Sequence, residues 1–152
     1  MKLAALLTTL IAVAPALASA QTIPVSPDTI IAARQTNFLL SAGTFTGMKN
    51  AVDDHESVKK WADFAGGLAE WAGVIPTLFP PGTEKGHDTK ALAAIWSDRA
   101  GFEKAAANYA DAAKTLQAAA KADDKDAFAA AFKQTGKACG ACHKKFRQKE
   151  ED

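Results

Sequence analysis

Residues 125–147 read KDAFAAAFKQTGKACGACHKKFR, and this stretch decides the fold. Phe128, Phe132, Thr135, Cys139, Cys142 and Phe146 recur in alternating steps of four and three. At about 3.6 residues per turn that spacing lines up along one side of an α-helix, whereas a half-buried strand needs alternation at every second residue. Alanine and lysine fill most other positions, and both are good helix formers. The stretch predicts an amphipathic helix of about six turns.

The same period extends upstream. Asp123 to Asp126 form a turn, and before it Phe102, Ala106, Tyr109, Ala113, Leu116 and Ala120 mark a helix from about Arg99 to Ala122, capped by Ser97-Asp98. A short turn spans Ala91 to Trp96. Thr77 to Lys90 (TLFPPGTEKGHDTK) has no stripe. It is either a functional loop or a plain crossover between helices. Val58, Trp61, Phe64, Leu68, Trp71 and Ile75 predict another helix, opened by Asp53 and Asp54 and ended by Pro76. The first helix starts at Ser26-Pro27 and carries Ile31, Phe38, Phe45, Met48 and Val52. No segment alternates like a strand, and no Asn-Gly or Asp-Gly hairpin occurs. Four amphipathic helices of about 20–25 residues predict an all-α, up-down four-helix bundle.

Composition agrees and excludes other classes. The chain has 152 residues, 35 of them alanine, with 23% charged side chains and a net charge of +1. That length suits one compact domain. Near-neutral charge argues against binding driven by nucleic-acid phosphates. Two cysteines are too few for a disulfide-stapled scaffold. The alanine excess favours helices that approach closely.

Residues 1–20 read as a secretory signal peptide. Lys2 is followed by an apolar run from Leu3 to Val13, then Pro15 and the small-residue site Ala18-Ser19-Ala20. The run is too short to span about 30 Å of hydrocarbon. Cleavage after Ala20 leaves a domain of residues 21–152 with 17 basic and 17 acidic groups. The reading is an exported, periplasmic protein.

One motif carries chemistry. Cys139-Gly140-Ala141-Cys142-His143 is C-x-x-C-H, the pattern of covalent c-type haem attachment. Thiols at i and i+3 share a helix face and can add to two vinyl groups along one porphyrin edge. His143, at i+4 from Cys139, then reaches the iron as an axial ligand. A redox disulfide normally follows a strand in a βαβ unit, which is absent here. The other histidines, His55 and His87, lack zinc-finger spacing. They also make no catalytic constellation with neighbouring carboxylates, so the chain does not read as an enzyme.

Other residues fit a haem. Arg34 lies on the first stripe between Ile31 and Phe38, where a bare guanidinium is costly to bury. A haem propionate is a suitable partner, with Gln35 able to donate to the same group. The plainer alternative is an arginine snorkelling to water. Phe38, one turn further, covers the distal face or simply packs the core. Arg147, at i+4 from His143, lies beside the haem edge or the imidazole, or is a solvated arginine in a basic tail. Met48 is fourteen residues beyond Arg34, about 21 Å along a helix, too far to reach iron easily. The inference is five-coordinate iron that binds small neutral diatomics. The competing reading is a six-coordinate electron carrier using Met48 or His87.

With these residues in place the sequence resembles the cytochrome c′ family of exported bacterial haem bundles. The resemblance covers nearly all of residues 21–152. It rests on Ala33-Arg34-Gln35, Phe38, Phe79-Pro80-Pro81-Gly82-Thr83, Ile95-Trp96-Ser97-Asp98, Phe102 and the motif in the last helix. It implies one covalent haem c through Cys139 and Cys142, His143 on the iron, and Arg34 and Gln35 beside a propionate. It also implies Phe38 at the distal position and Arg147 on the proximal side. Phe146 departs from the tyrosine often found there. The resemblance further implies nitric oxide and carbon monoxide as ligands, a possible redox partner protein, and a homodimer. Ile30, Leu39 and Leu40, off the main stripe, could serve such a dimer or pack inside the bundle.

Overall fold

The computed structural model describes residues 25–149. The expected signal peptide at 1–20 lies outside the described residues. Helix α1 spans Pro27–Asp53, α2 Ala62–Val74, α3 Ala94–Ser97, α4 Arg99–Lys121 and α5 Lys125–Phe146. The protein is an all-α, up-down four-helix bundle in which α1, α2, α4 and α5 are the long members and α3 is a single turn. No strand occurs among the described residues, only one isolated bridge between Ala91 and Arg147.

Caps set three of the four starts. Ser26 Oγ accepts from Thr29 N at 3.1 Å, Asp98 Oδ1 from Gly101 N at 3.1 Å, and Asp124 Oδ1 from Ala127 N at 2.9 Å. Each satisfies a backbone donor that the first turn leaves orphaned.

The start of the second helix differs from expectation. Asp53 and Asp54 do not open it. Asp53 is the last residue of α1 and Asp54 its C-cap, its N–H donating to Asn50 O at 2.9 Å. The chain turns through His55 at φ 54°, and a 3₁₀ turn, Lys59–Trp61, leads into α2. The cap comes from far along the chain. Asp123 Oδ1 accepts from Val58 N at 2.8 Å and from Lys59 N at 3.1 Å, and Ser57 Oγ adds a bond at 3.0 Å. At its other end α2 stops at Val74, and Pro76 sits in a further 3₁₀ turn, Ile75–Leu78. The α-helical part is 13 residues, shorter than expected.

Helix α4 is the central element, with α2 and α5 packed along it. Its stripe is buried as the periodicity requires, from Phe102 through Ala106, Tyr109, Ala113 and Leu116 to Ala120. Small side chains permit close approach. A Cβ on Gly66 would stand 2.2 Å from Gln117 Nε2 on α4, and one on Gly47 would stand 2.7 Å from Trp61. On α5, Phe128, Thr135 and Phe146 are buried, while Phe132, Cys139 and Cys142 are partly so. Burying each phenylalanine contributes about 1.5–3 kcal/mol. Helix α1 meets α5 more sparingly, through the stacked Phe45 and Phe132 rings at 4.0 Å.

Phe64 breaks its stripe. It is 55% exposed and lines a groove of about 330 Å³ between α1 and α2 with Leu40, Asn37, Asp63 and Trp71. Leu39 and Leu40 are 72% and 62% exposed, so they do not pack inside the bundle.

Candidate functional site

Helix α5 brings the motif residues to one flank. Cys139 and Cys142 are free thiols, partly buried, one turn apart. Burial pushes the Cys142 thiol up to about 11, with Cys139 adding to the effect. Burial likewise raises the pKa of Cys139. Both are therefore protonated at neutral pH. His143 is accessible to solvent but crowded on one side. That partial desolvation, followed by the charge of Arg147, lowers its pKa. A neutral imidazole is the form that ligates a metal. Tyr109 faces this region from α4. Its phenol pKa is raised, first by burial and then by Cys139, while a hydrogen bond with Ser41 of α1 opposes the shift.

Arg34 is buried, with 2% of its surface exposed, and its partners lie on the loop after α2. One terminal nitrogen donates to Leu78 O at 3.1 Å and Thr83 Oγ1 at 2.9 Å. The other donates to Thr83 O at 2.8 Å and Thr89 Oγ1 at 2.9 Å. Its guanidinium carbon also lies 4.1 Å from the Phe79 ring centre. Burial lowers its pKa, and the charge of Glu84 works the other way. The guanidinium is thus held by neutral acceptors of the loop, with the charge of Glu84 nearby. Neither terminal nitrogen is left for a bidentate propionate. Gln35 serves the same loop, its Nε2 donating to His87 O at 2.8 Å.

The loop is a strap across one end of the bundle. Arg99 holds it from α4, donating to Phe79 O at 3.1 Å and Pro76 O at 2.7 Å. Its far end pairs with the tail of α5, where Gln148 N donates to Lys90 O at 2.8 Å. Thr83 is 1% exposed. Gly86, His87 and Asp88 take positive φ in succession, which lets the strap reverse. Thr89 is a residue that sequence reasoning missed here, and Phe79 and Thr83 entered it only through the family resemblance, without their contacts to Arg34. Their roles depend on Arg34, more than forty positions away.

Phe38 is partly buried. Its ring meets Trp71 edge-on at 5.2 Å and Phe79 at 6.5 Å. Phe79 continues to Phe102 at 5.0 Å, and Phe102 to Phe146 at 5.3 Å. An aromatic chain therefore runs from the middle of α1 to the end of α5. Met48 is fully buried in the core, and His87 is exposed on the strap. Arg147 borders a shallow cleft of about 240 Å³ with Gly140, His143 and Lys144.

The donor set fits a haem. Two unjoined thiols and a deprotonatable imidazole share one helix flank, and an apolar aromatic row lies within the bundle. Fold and site together define a c-type haem protein built on a four-helix bundle. The family model described as Cytochrome C′ matches residues 29–147, and the chain belongs to that family, whose members carry covalent haem c. The chain is 51% identical over 73 residues to the cytochrome c′ of Rubrivivax gelatinosus, covering 48% of this chain and 57% of that one. The aligned stretch thus spans somewhat over half of the curated relative. The crystal structure of cytochrome c′ from Rubrivivax gelatinosus matches with a TM-score of 0.73 and 37% identity, covering 80% of this chain and 97% of that chain. A nitric oxide complex of a cytochrome c prime mutant from Alcaligenes xylosoxidans matches with a TM-score of 0.73 and 32% identity, over 81% and 97% of the two chains. A carbon monoxide-bound variant from the same organism matches with a TM-score of 0.74 and 32% identity, over 82% and 98%.

Proposed function

We propose that this chain is an exported haem c protein whose five-coordinate, high-spin iron binds nitric oxide and carbon monoxide. Cys139 and Cys142 hold the haem as thioethers, and His143 is its axial ligand. When bound, the haem would supply an iron open to a gas ligand on one side. Phe38 covers that side with a ring that can neither ligate iron nor donate a hydrogen bond, so charged ligands are disfavoured and neutral diatomics are not. Arg147 lies on the proximal side. Arg34 and Gln35 act on the propionate side chiefly by holding the strap, leaving only the Arg34 Nε for a carboxylate. Gas complexes of the related Alcaligenes xylosoxidans protein support the choice of ligands.

The observation that carries the reading is the placement of the alternative ligands. Met48 is locked in the core and His87 stands on the exposed strap, while Phe38 occupies the inner face of α1. The ferric electron paramagnetic resonance spectrum and the ferrous absorption spectrum with and without nitric oxide test it. High-spin ferric signals and a nitrosyl spectrum are expected. A low-spin spectrum with a methionine–iron charge-transfer band would overturn it in favour of a six-coordinate electron carrier.

The proposal extends to location and assembly. Cleavage after Ala20 places the domain in the periplasm, and no described helix is long and apolar enough to cross a membrane. Leu39, Leu40 and Phe64 form the exposed apolar face of α1 and α2 through which two copies pair as a homodimer.

A further inference from the structure

Charge is distributed unevenly along the bundle. Residues 127–149 contain six cations (Lys133, Lys137, Lys144, Lys145, Arg147 and Lys149) and no carboxylate. Three carboxylates follow at 150–152, outside the described residues, and leave the segment net cationic. Residues 25–126 hold 11 basic and 14 acidic side chains. Lys133, Lys137, Gly140 and Lys144 recur at i, i+4, i+7 and i+11, and all four are exposed. They form a single stripe on the outer face of α5.

The lysines of the stripe are also free of the ion pairs that engage four other lysines. Lys49, Lys60, Lys114 and Lys145 each pair with a carboxylate. Lys133, Lys137 and Lys144 pair with none among the described residues. Cations at a helix C-terminus are ordinarily explained by the macrodipole, which acts within the last turn. Lys133 and Lys137 lie two turns or more before that end of α5. At the centre of the stripe Gly140 and Ala141 are exposed, and a Cβ on Gly140 would meet nothing within 4 Å. The outer face of α5 is therefore low and bare at Gly140, between unpaired lysines, while Cys139 and Cys142 point from the other side of the same turn toward the core.

We infer that this face of α5 is a docking surface for the acidic face of a partner redox protein. The inference rests on haem attachment at Cys139 and Cys142. Charge complementarity selects the partner, because unpaired lysines steer an acidic surface and set its orientation. With no side chain at Gly140, that surface comes to within the thickness of the helix backbone of the attachment points on its other side. The protein is near neutral as a whole, so attraction is confined to this face.

The test is the second-order rate at which a reduced acidic flavodoxin, used as probe, reduces the ferric holoprotein across a salt series. The native protein should react more slowly as salt rises. The triple variant Lys133→Glu, Lys137→Glu, Lys144→Glu should react about tenfold more slowly at low salt and lose or invert the salt dependence. A control, Lys59→Glu, Lys104→Glu, Lys121→Glu, has the same net charge and should stay within about twofold of native. Equal rates for the two triple variants would overturn the docking surface while leaving the haem site intact. So would triple-variant loss of binding to phosphatidylglycerol vesicles with flavodoxin rates unchanged, since the face would then serve a membrane. An intact mass lacking a haem adduct would instead overturn the haem site and the docking surface with it.

Discussion

Phe38 and Arg34 sit one turn apart on α1 and do opposite things. Phe38 presents an apolar edge to Trp71 and Phe79, and in the proposed site it limits access to the iron. Phe38→Ala should raise the carbon monoxide association rate of the ferrous protein severalfold, measured by flash photolysis. An unchanged rate places Phe38 away from the distal face. Arg34 holds three residues of the strap through four hydrogen bonds. Truncating it leaves buried carbonyl and hydroxyl oxygens without donors, each costing about 1–3 kcal/mol when no water replaces them. Arg34→Ala should lower stability by roughly 2–4 kcal/mol in urea unfolding, with part of the loss recovered by relaxation of the strap. Arg34→Lys should recover little, because an ammonium cannot span a planar fork of four acceptors. If Arg34→Ala unfolds like the native protein, the strap does not depend on it.

At the scale of elements, the second helix is the instructive case. Its stripe is visible from Val58 to Ile75, but its start depends on Asp123, which lies beyond α4. Hydrogen bonds from Ser57, then Val58, hold the Asp123 carboxyl below its usual range. A depressed carboxylate pKa adds stability above the unfolded value of about 3.9, and that stability is lost as pH falls through the lower folded value. Asp123→Asn tolerates the positive φ but cannot ionise. It should lower Tm at neutral pH and flatten the fall of Tm below about pH 4. Parallel Tm–pH curves for the two proteins would show that the charge does not matter there. Helices α1, α4 and α5, in contrast, start at local caps within three residues, so their boundaries follow from adjacent sequence.

The molecule as a whole carries two unlike faces, apolar on α1 and α2 and basic on α5. Leu40→Glu with Phe64→Glu should convert the proposed dimer to a monomer in sedimentation velocity while the haem spectrum stays unchanged. A native protein that sediments as a monomer removes the dimer altogether. The intact mass of the exported protein should equal residues 21–152 plus one haem. An unmodified mass with a disulfide between Cys139 and Cys142 leaves a haem-free bundle.

Helix number, class and the attachment motif were open to one-dimensional reading, because a period near 3.6 and a five-residue motif are local properties of the chain. Cys139, Cys142 and His143 share a face by helical geometry alone. Everything that depends on contact between distant segments waited for the tertiary structure. The contacts of Arg34 with Thr83 and Thr89 are one case, since nothing near it in sequence shows those residues folding over it. Phe64 looked like core, since periodicity marks an apolar side without saying whether another helix covers it. The strap, the remote cap on α2 and the exposed α1–α2 face come from packing, where each residue's partner is chosen by the fold and not by its neighbours in the chain.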